Sequence, residues 1–228
     1  MGKIIRLDVA ITDTNAPRIP HTAGVGGYSH RYIAGHVNQS VGTAVSSWAD
    51  LAGELPMNNG GGTPAVMLRQ DASGFRYLES STANNAGGQL TTVSTTPPSA
   101  LTFAAIIKLT ASGVSNQLSV FGASIGRLGS GQWELKGATG TILVGGSNNW
   151  ALVIATVAGA SSEVRRDALT VAGTVAPFTD ARPIMYGGSA TPTQPLQLAE
   201  VITWDRALTA GEKDAVRTSL KAAYTVLP

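Results

Sequence analysis

The 228-residue sequence predicts an all-β fold, a two-sheet antiparallel sandwich with one short C-terminal helix. Three observations predict it. From about residue 41 onward, short apolar segments recur between turn signals every ten residues or so, the spacing of sandwich strands. Residues 151–158, Ala-Leu-Val-Ile-Ala-Thr-Val-Ala, are apolar on both faces and belong mid-sheet under two layers. In the last thirty-odd residues, period-two alternation over 196–208 passes without a linker into period 3.6 over 209–224.

Taken in order, residues 3–11 alternate, with Ile5, Leu7, Val9 and Ile11 on one face and Arg6 and Asp8 on the other, and read as a strand. Residues 12–41 are dense in Pro, Gly, His and Asn without a sustained period. We therefore divide the chain into 1–40, a strand and irregular anchoring arm whose apolar Ile5, Leu7, Val9 and Ile11 form an interface, and 41–228, the sandwich domain. A long irregular segment of this kind is commonly functional or docked on a partner. At 101–109, Leu101, Phe103, Ala105, Ile107 and Leu109 share one face opposite Thr102 and Lys108, which predicts a strand with a wet side. Trp133 and Leu135 alternate with Gln132, Glu134 and Lys136 in the same way. Glycines at 60–62, 87–88, 145–146 and 187–188 supply positive φ for hairpins. At Arg165-Arg166-Asp167-Ala168, alanine tolerates the left-handed region poorly, so an unusual turn, facing a partner, is expected. The closing helix starts on a Thr209-x-x-Glu212 capping box. Its Val216, Leu220 and Tyr224 form one apolar stripe, with Lys213, Asp214, Arg217 and Lys221 on the other faces.

Composition narrows the function. A chain of this length buries roughly 70% of its unfolded surface and needs no staples. Cysteine is absent, which excludes disulfides and thiolate chemistry. Charged residues are 13% and the formal net charge is +2, with Lys and Arg scattered, so no nucleic-acid groove is expected. No apolar run spans a bilayer, and no membrane insertion is expected. The N-terminus lacks an uninterrupted apolar core and cleavage site, so signal-peptide export is not expected.

The segment Leu198-Ala-Glu-Val-Ile-Thr-Trp-Asp-Arg-Ala-Leu-Thr-Ala-Gly-Glu212 resembles the C-terminal signature of concanavalin A-like, laminin-G-type jelly-roll domains. Other fragments resemble the same family in the same order: "AVSSWADLAG" at 44–53, "ALTFAAIIKL" at 100–109, "NWALVIATVAGASS" at 149–162 and "IMYGGS" at 184–189. The resemblance covers about 41–224, and similar domains occur in tailed-phage minor tail and capsid decoration proteins. It implies a jelly-roll and admits both lectins and glucanases. The turn at 165–168 departs from the family pattern.

Catalysis of the glucanase type needs two carboxylates on one face. Here Glu134 stands alone, and Glu200 and Asp205 have an odd spacing that points them apart. We therefore expect no enzyme. Alternation places Glu200 on the face of Leu198, Ile202 and Trp204, as a partly buried acceptor for backbone N–H groups or for an arginine such as Arg206. His21, His30 and His36 match no metal-site spacing, and Asp71, Asp167 and Asp180 are too isolated for calcium. Neither a metal nor another cofactor is expected. Of four tryptophans, Trp48, Trp150 and Trp204 read as core. Trp133, flanked by polar residues after a Gly-Ser-Gly turn, is the candidate ligand-binding ring. The expectation is a bacteriophage virion protein of the tail, baseplate or capsid decoration type. It assembles with other virion proteins as a homotrimer, and host-surface glycan is a further partner. A carbohydrate-binding lectin-like adhesin is the alternative, followed by a glycoside hydrolase.

Overall fold

The computed structural model describes residues 23–53, 55–61, 65–80, 88–109, 114–128, 130–187 and 196–228. In chain order the strands are β1 (His30–Ile33), β2 (Ser47–Trp48), β3 (Met57–Asn59), β4 (Met67–Gln70), β5 (Arg76–Ser80), β6 (Gln89–Thr91), β7 (Leu101–Leu109) and β8 (Val114–Val120). They continue as β9 (Ala123–Arg127), β10 (Trp133–Lys136), β11 (Thr141–Val144), β12 (Ala151–Val157), β13 (Gly159–Arg166), β14 (Leu169–Val175), β15 (Ile184–Gly187) and β16 (Leu196–Trp204). Helix α1 (Ala210–Ala223) closes the chain. Two antiparallel sheets form the jelly-roll sandwich. One, the helix-side sheet, runs β14-β13-β12-β7-β16-β5-β4, with β1 also paired to β16. The other, the open sheet, runs β11-β10-β9-β8-β15-β6-β3-β2.

Alternation sorts the side chains into two cores. Between the sheets lie Phe103, Ala105 and Ile107 of β7, Val153 and Ala155 of β12, and Leu118, Ile125, Leu135 and Tyr186 from the open sheet. On the far side of the helix-side sheet, Ala104, Ile106, Leu152, Ile154, Ile202 and Trp204 meet Val216 and Leu220 of α1 and Tyr224, which caps its C-terminal end. Each such side chain contributes roughly 1.5–3 kcal/mol when fully buried. The expected mid-sheet position of 151–158 holds: every residue of β12 is buried, and it lies between β7 and β13.

The wet side expected for β7 is absent along most of its length, because α1 and the residues before it cover that face. Thr102 is fully buried. Its hydroxyl lies 3.2 Å from the Thr156 hydroxyl and accepts from the Leu208 N–H at 3.0 Å. The capping box forms as expected, with Glu212 N–H donating to Thr209 Oγ1 at 3.3 Å and Thr209 N–H to Glu212 Oε2 at 2.8 Å. Lys213, expected to face water, is buried with its ammonium 3.1 Å from Glu163 Oε1. That pair, with Arg165–Asp214 at 2.8 Å, ties α1 to β13.

Residues 23–40, assigned by sequence to the arm, pack on the sandwich: Arg31 pairs with Ile202 and Ile33 with Glu200, and Ala23 joins the second core. The strand expected at 3–11 and its Ile5, Leu7, Val9 and Ile11 lie outside the described residues. At 165–169 the hairpin turns on Asp167, which takes a φ of +52°; aspartate tolerates this region better than alanine. Its carboxylate accepts from Leu152 N–H at 3.2 Å, so the turn is tied back to β12.

Candidate functional site

α1 packs on the outer face of one sheet; among the described residues, no helix packs on the outer face of the open sheet. Leu118, Val120, Ala123, Ile125, Leu135 and Ile184 point into the core, so the residues between them point outward. Register then sets Lys136 opposite Ser124, Ser124 opposite Ser119, and Ser119 opposite Met185. The segment between β14 and β15 folds over one end of this row. It is anchored by reciprocal backbone bonds between Thr95 and Arg182 at 3.1 and 2.9 Å. Phe178 lies against Gly122, where a Cβ would come within 2.5 Å of the ring, and Gly122 has a φ of +86°. Gly137 leaves the same room for Ala176 O, which is 2.3 Å from a would-be Cβ.

The result is a groove of about 340 Å³ floored by Ser119 and Ser124, with Lys136 and Met185 along the row and Phe178 and Arg182 as a wall. This volume is at the small end of the range of about 300–1,000 Å³ for ligand pockets. The Arg182 guanidinium sits 4.6 Å over the Phe178 ring and 2.8 Å from Asp180. Lys136 is exposed and has no ion-pair partner among the described residues. Hydroxyls, an ammonium, a guanidinium and an apolar wall suit a polyhydroxylated ligand.

Sequence reasoning named a different residue. Trp133 is 1% exposed in the inter-sheet core. Its Nε1–H donates to Ser147 O at 3.2 Å, and Arg166 covers its ring at 5.6 Å. A ring enclosed in this way offers no face to a ligand. Trp48 and Trp204 are equally buried, whereas Trp150 is half-exposed. The groove residues were legible only in part. Alternation points Ser119 and Ser124 outward, but nothing in the sequence brings Phe178 and Arg182 over them.

The carboxylates do not converge on the groove. Glu134 is largely buried in β10, Asp205 accepts from the Ser29 hydroxyl at 2.8 Å, and Glu200 is fully buried beneath α1. The partner of Glu200 is Arg31, at 2.8 Å, whereas Arg206 binds Glu212 at 2.6 Å. His30 Nδ1–H donates to the Asp50 carboxylate at 2.7 Å. Burial would raise the Asp50 pKa, but the His30 bond and the Arg31 and Ala52 N–H groups outweigh it and lower it. Among the described residues no group of three or more His, Cys, Asp or Glu could hold a metal ion. None of their helices is long and apolar enough to cross a membrane.

No protein-family model and no curated protein matches the chain. Solved structures do. The binding domain of botulinum neurotoxin DC in complex with SialylT is similar with a TM-score of 0.64 and 11% identity, over 87% of this chain and 52% of that one. The binding domain of botulinum neurotoxin serotype D/C VPI 5993 gives 0.60 and 12%, over 87% and 53%. Trypanosoma rangeli sialidase in complex with sialic acid gives 0.55 and 16%, over 86% and 33%. The chain thus spans about half of the neurotoxin domains and a third of the sialidase, and at these identities the likeness is one of fold. It overturns the expectation that the chain is not an enzyme. That expectation rested on a missing carboxylate pair, which argues only against the two-carboxylate mechanism; sialidases use a tyrosine nucleophile. With sialidases and binding domains both among the similar structures, the fold by itself does not separate catalysis from binding. What the chain shares with both is a β-sandwich.

Proposed function

We propose that this chain is a carbohydrate-recognising jelly-roll module that holds a glycan in the groove on its open sheet. The observation that carries the reading is the row Lys136–Ser124–Ser119–Met185 walled by Phe178 and Arg182. The groove presents short hydroxyls and cations around an apolar wall, the mixture that orients a sugar. The lectin-like fold supports it. A glycan array with the full chain, followed by calorimetry, tests it. Binding that weakens on the order of ten-fold in Lys136→Ala and Arg182→Ala is expected, and affinities unchanged in both variants would refute the groove. Release of free sugar during the same titration would make the groove catalytic.

The setting we propose is a bacteriophage virion, with the module in a tail, baseplate or capsid decoration protein that assembles with other virion proteins as a homotrimer. The resemblance to laminin-G-type domains of such proteins and the cysteine-free, Ala-, Gly-, Thr- and Ser-rich composition support it. Light scattering of the full chain reads the oligomer. Incorporation into particles that persists without residues 1–22, a truncation that keeps β1 and the Arg31–Glu200 pair, would refute the anchoring role of the arm.

A further inference from the structure

α1 ends at Ala223. Beside that end, three partly buried aromatic side chains converge on the helix-side sheet. Phe75 lies 5.0 Å from Trp150 with their planes at 88°, Tyr77 lies 5.5 Å from Trp150 at 68°, and Phe75 lies 6.1 Å from Tyr77. Their inner edges pack on the second core, and Phe75 also touches Tyr224 at 5.9 Å. All three nevertheless stay half-exposed. Burial in a minor core accounts for their packing but not for the polar groups beside them.

A polar row borders the rings. Glu79 pairs in register with Gln197, and Gln197 with Lys108. Leu78, Leu198 and Ile107 face the inter-sheet core, so this row faces outward with the rings. Glu79 is used internally: Oε1 accepts from Arg69 Nε at 2.9 Å and Oε2 from Gln197 Nε2 at 2.9 Å. That ties down the carboxylate and fixes the amide of Gln197, leaving its Oε1 free to accept. Among the described residues, Trp150 Nε1–H, the Tyr77 hydroxyl and the Lys108 ammonium have no partner. Burial and the charge of Glu79 both hold the Tyr77 hydroxyl protonated, since both raise its pKa.

From this geometry we infer a second sugar-contact surface: an aromatic ledge of Phe75, Tyr77 and Trp150 that takes an uncharged hexopyranose, separate from the groove on the opposite sheet. The apolar C–H face of the sugar lies on Phe75 and Tyr77, whose planes are 30° apart and whose faces carry partial negative charge, and its edge meets Trp150, which stands across them. Its hydroxyls donate to Gln197 Oε1 and accept from Lys108, Tyr77 and Trp150. Aromatic faces set the plane of the ligand, and few fixed polar groups set its orientation.

Trp150 supplies its own readout. Trp48, Trp133 and Trp204 are all at or below 1% exposure, so acrylamide quenching of tryptophan emission reports on Trp150, and the groove contains no tryptophan. The full chain is titrated with lactose, maltotriose and cellotriose while quenching is followed. Protection of Trp150 by at least one of these sugars, weakened on the order of ten-fold in Tyr77→Ala and in Lys108→Ala but unchanged in Lys136→Ala, is expected. Lys108→Ala removes one solvent-facing ammonium and keeps the fold, which thermal unfolding checks. No protection by any of the three sugars, or protection indifferent to Tyr77 and Lys108, would overturn the ledge and leave the groove standing. Trp150 protection in a protein whose glycan binding is everywhere indifferent to Lys136→Ala and Arg182→Ala would retain the ledge and remove the groove.

Discussion

Arg31 Nε lies 2.8 Å from Glu200 Oε1 beneath α1, with both side chains at most 2% exposed, and the hydroxyl of Tyr224 donates to Glu200 Oε2 at 2.5 Å. Three distant segments of sequence, β1, β16 and the end of α1, meet at one carboxylate. Opening one side of a buried pair leaves the other charge out of water and without its ionic partner. Arg31→Ala should therefore cost about 3–5 kcal/mol, read as a fall in the denaturant midpoint. The double variant Arg31→Met with Glu200→Leu should recover much of that loss, because it removes both charges together. Full additivity of the two single changes would refute the coupling.

Acid should loosen the start of α1. Arg206 and the Thr209 N–H hold the Glu212 carboxyl at about 2, below its ordinary 4.5. A lowered folded pKa contributes stability that is present above 4.5 and disappears as pH falls toward 2. Helical circular dichroism should decline across that window. Thr209→Ala removes the acceptor for the Glu212 N–H and should cost about 1 kcal/mol at neutral pH.

The two readings of Trp133 and Lys136 separate cleanly. Trp133→Ala opens a cavity at the end of the inter-sheet core and should cost about 3–5 kcal/mol while leaving glycan affinity per folded molecule unchanged. Lys136→Ala should do the reverse. Paired unfolding and calorimetry curves check both.

Gly122→Ala tests the wall of the groove. The new methyl would sit 2.5 Å from Phe178 on a backbone with φ +86°, which costs about 1–2 kcal/mol for the conformation alone. The ring must also move. Lower stability together with weaker groove binding is expected, and unchanged binding would show that Phe178 does not shape the groove.

A buried phenol joins the sheets. The Tyr186 hydroxyl, on the open sheet, lies 2.9 Å from Leu78 O and 2.7 Å from Leu196 O and accepts from Ser80 N–H at 3.1 Å. Tyr186→Phe should cost about 1–3 kcal/mol, because backbone groups of β5 and β16 lose their partner. Thermal unfolding measures it.

Alternation and capping made the architecture legible. The period-two runs of β7 and β10, the doubly apolar β12 and the Thr209–Glu212 box all name local preferences that the structure keeps. The register of β16 was not legible. A bulge between Leu198 and Glu200 shifts the pairing with β7, so Leu198 faces the inter-sheet core while Ile202 and Trp204 face α1. Sequence alternation had set all of them on one face. The bulge adds one residue and inverts everything after it.

By itself the sequence determined that β7, β10 and β12 extend and that the segment after Thr209 coils, because these preferences depend on neighbours within a few positions. Only the tertiary structure decided that Glu200 answers Arg31 instead of Arg206, that Thr102 is dry under α1, that Trp133 is enclosed and Trp150 is not, and that Phe178 closes over Ser119 and Ser124. Those outcomes depend on what lies across a sheet or above a strand. Such neighbours come from parts of the chain up to 169 positions away, and a local pattern carries no record of them.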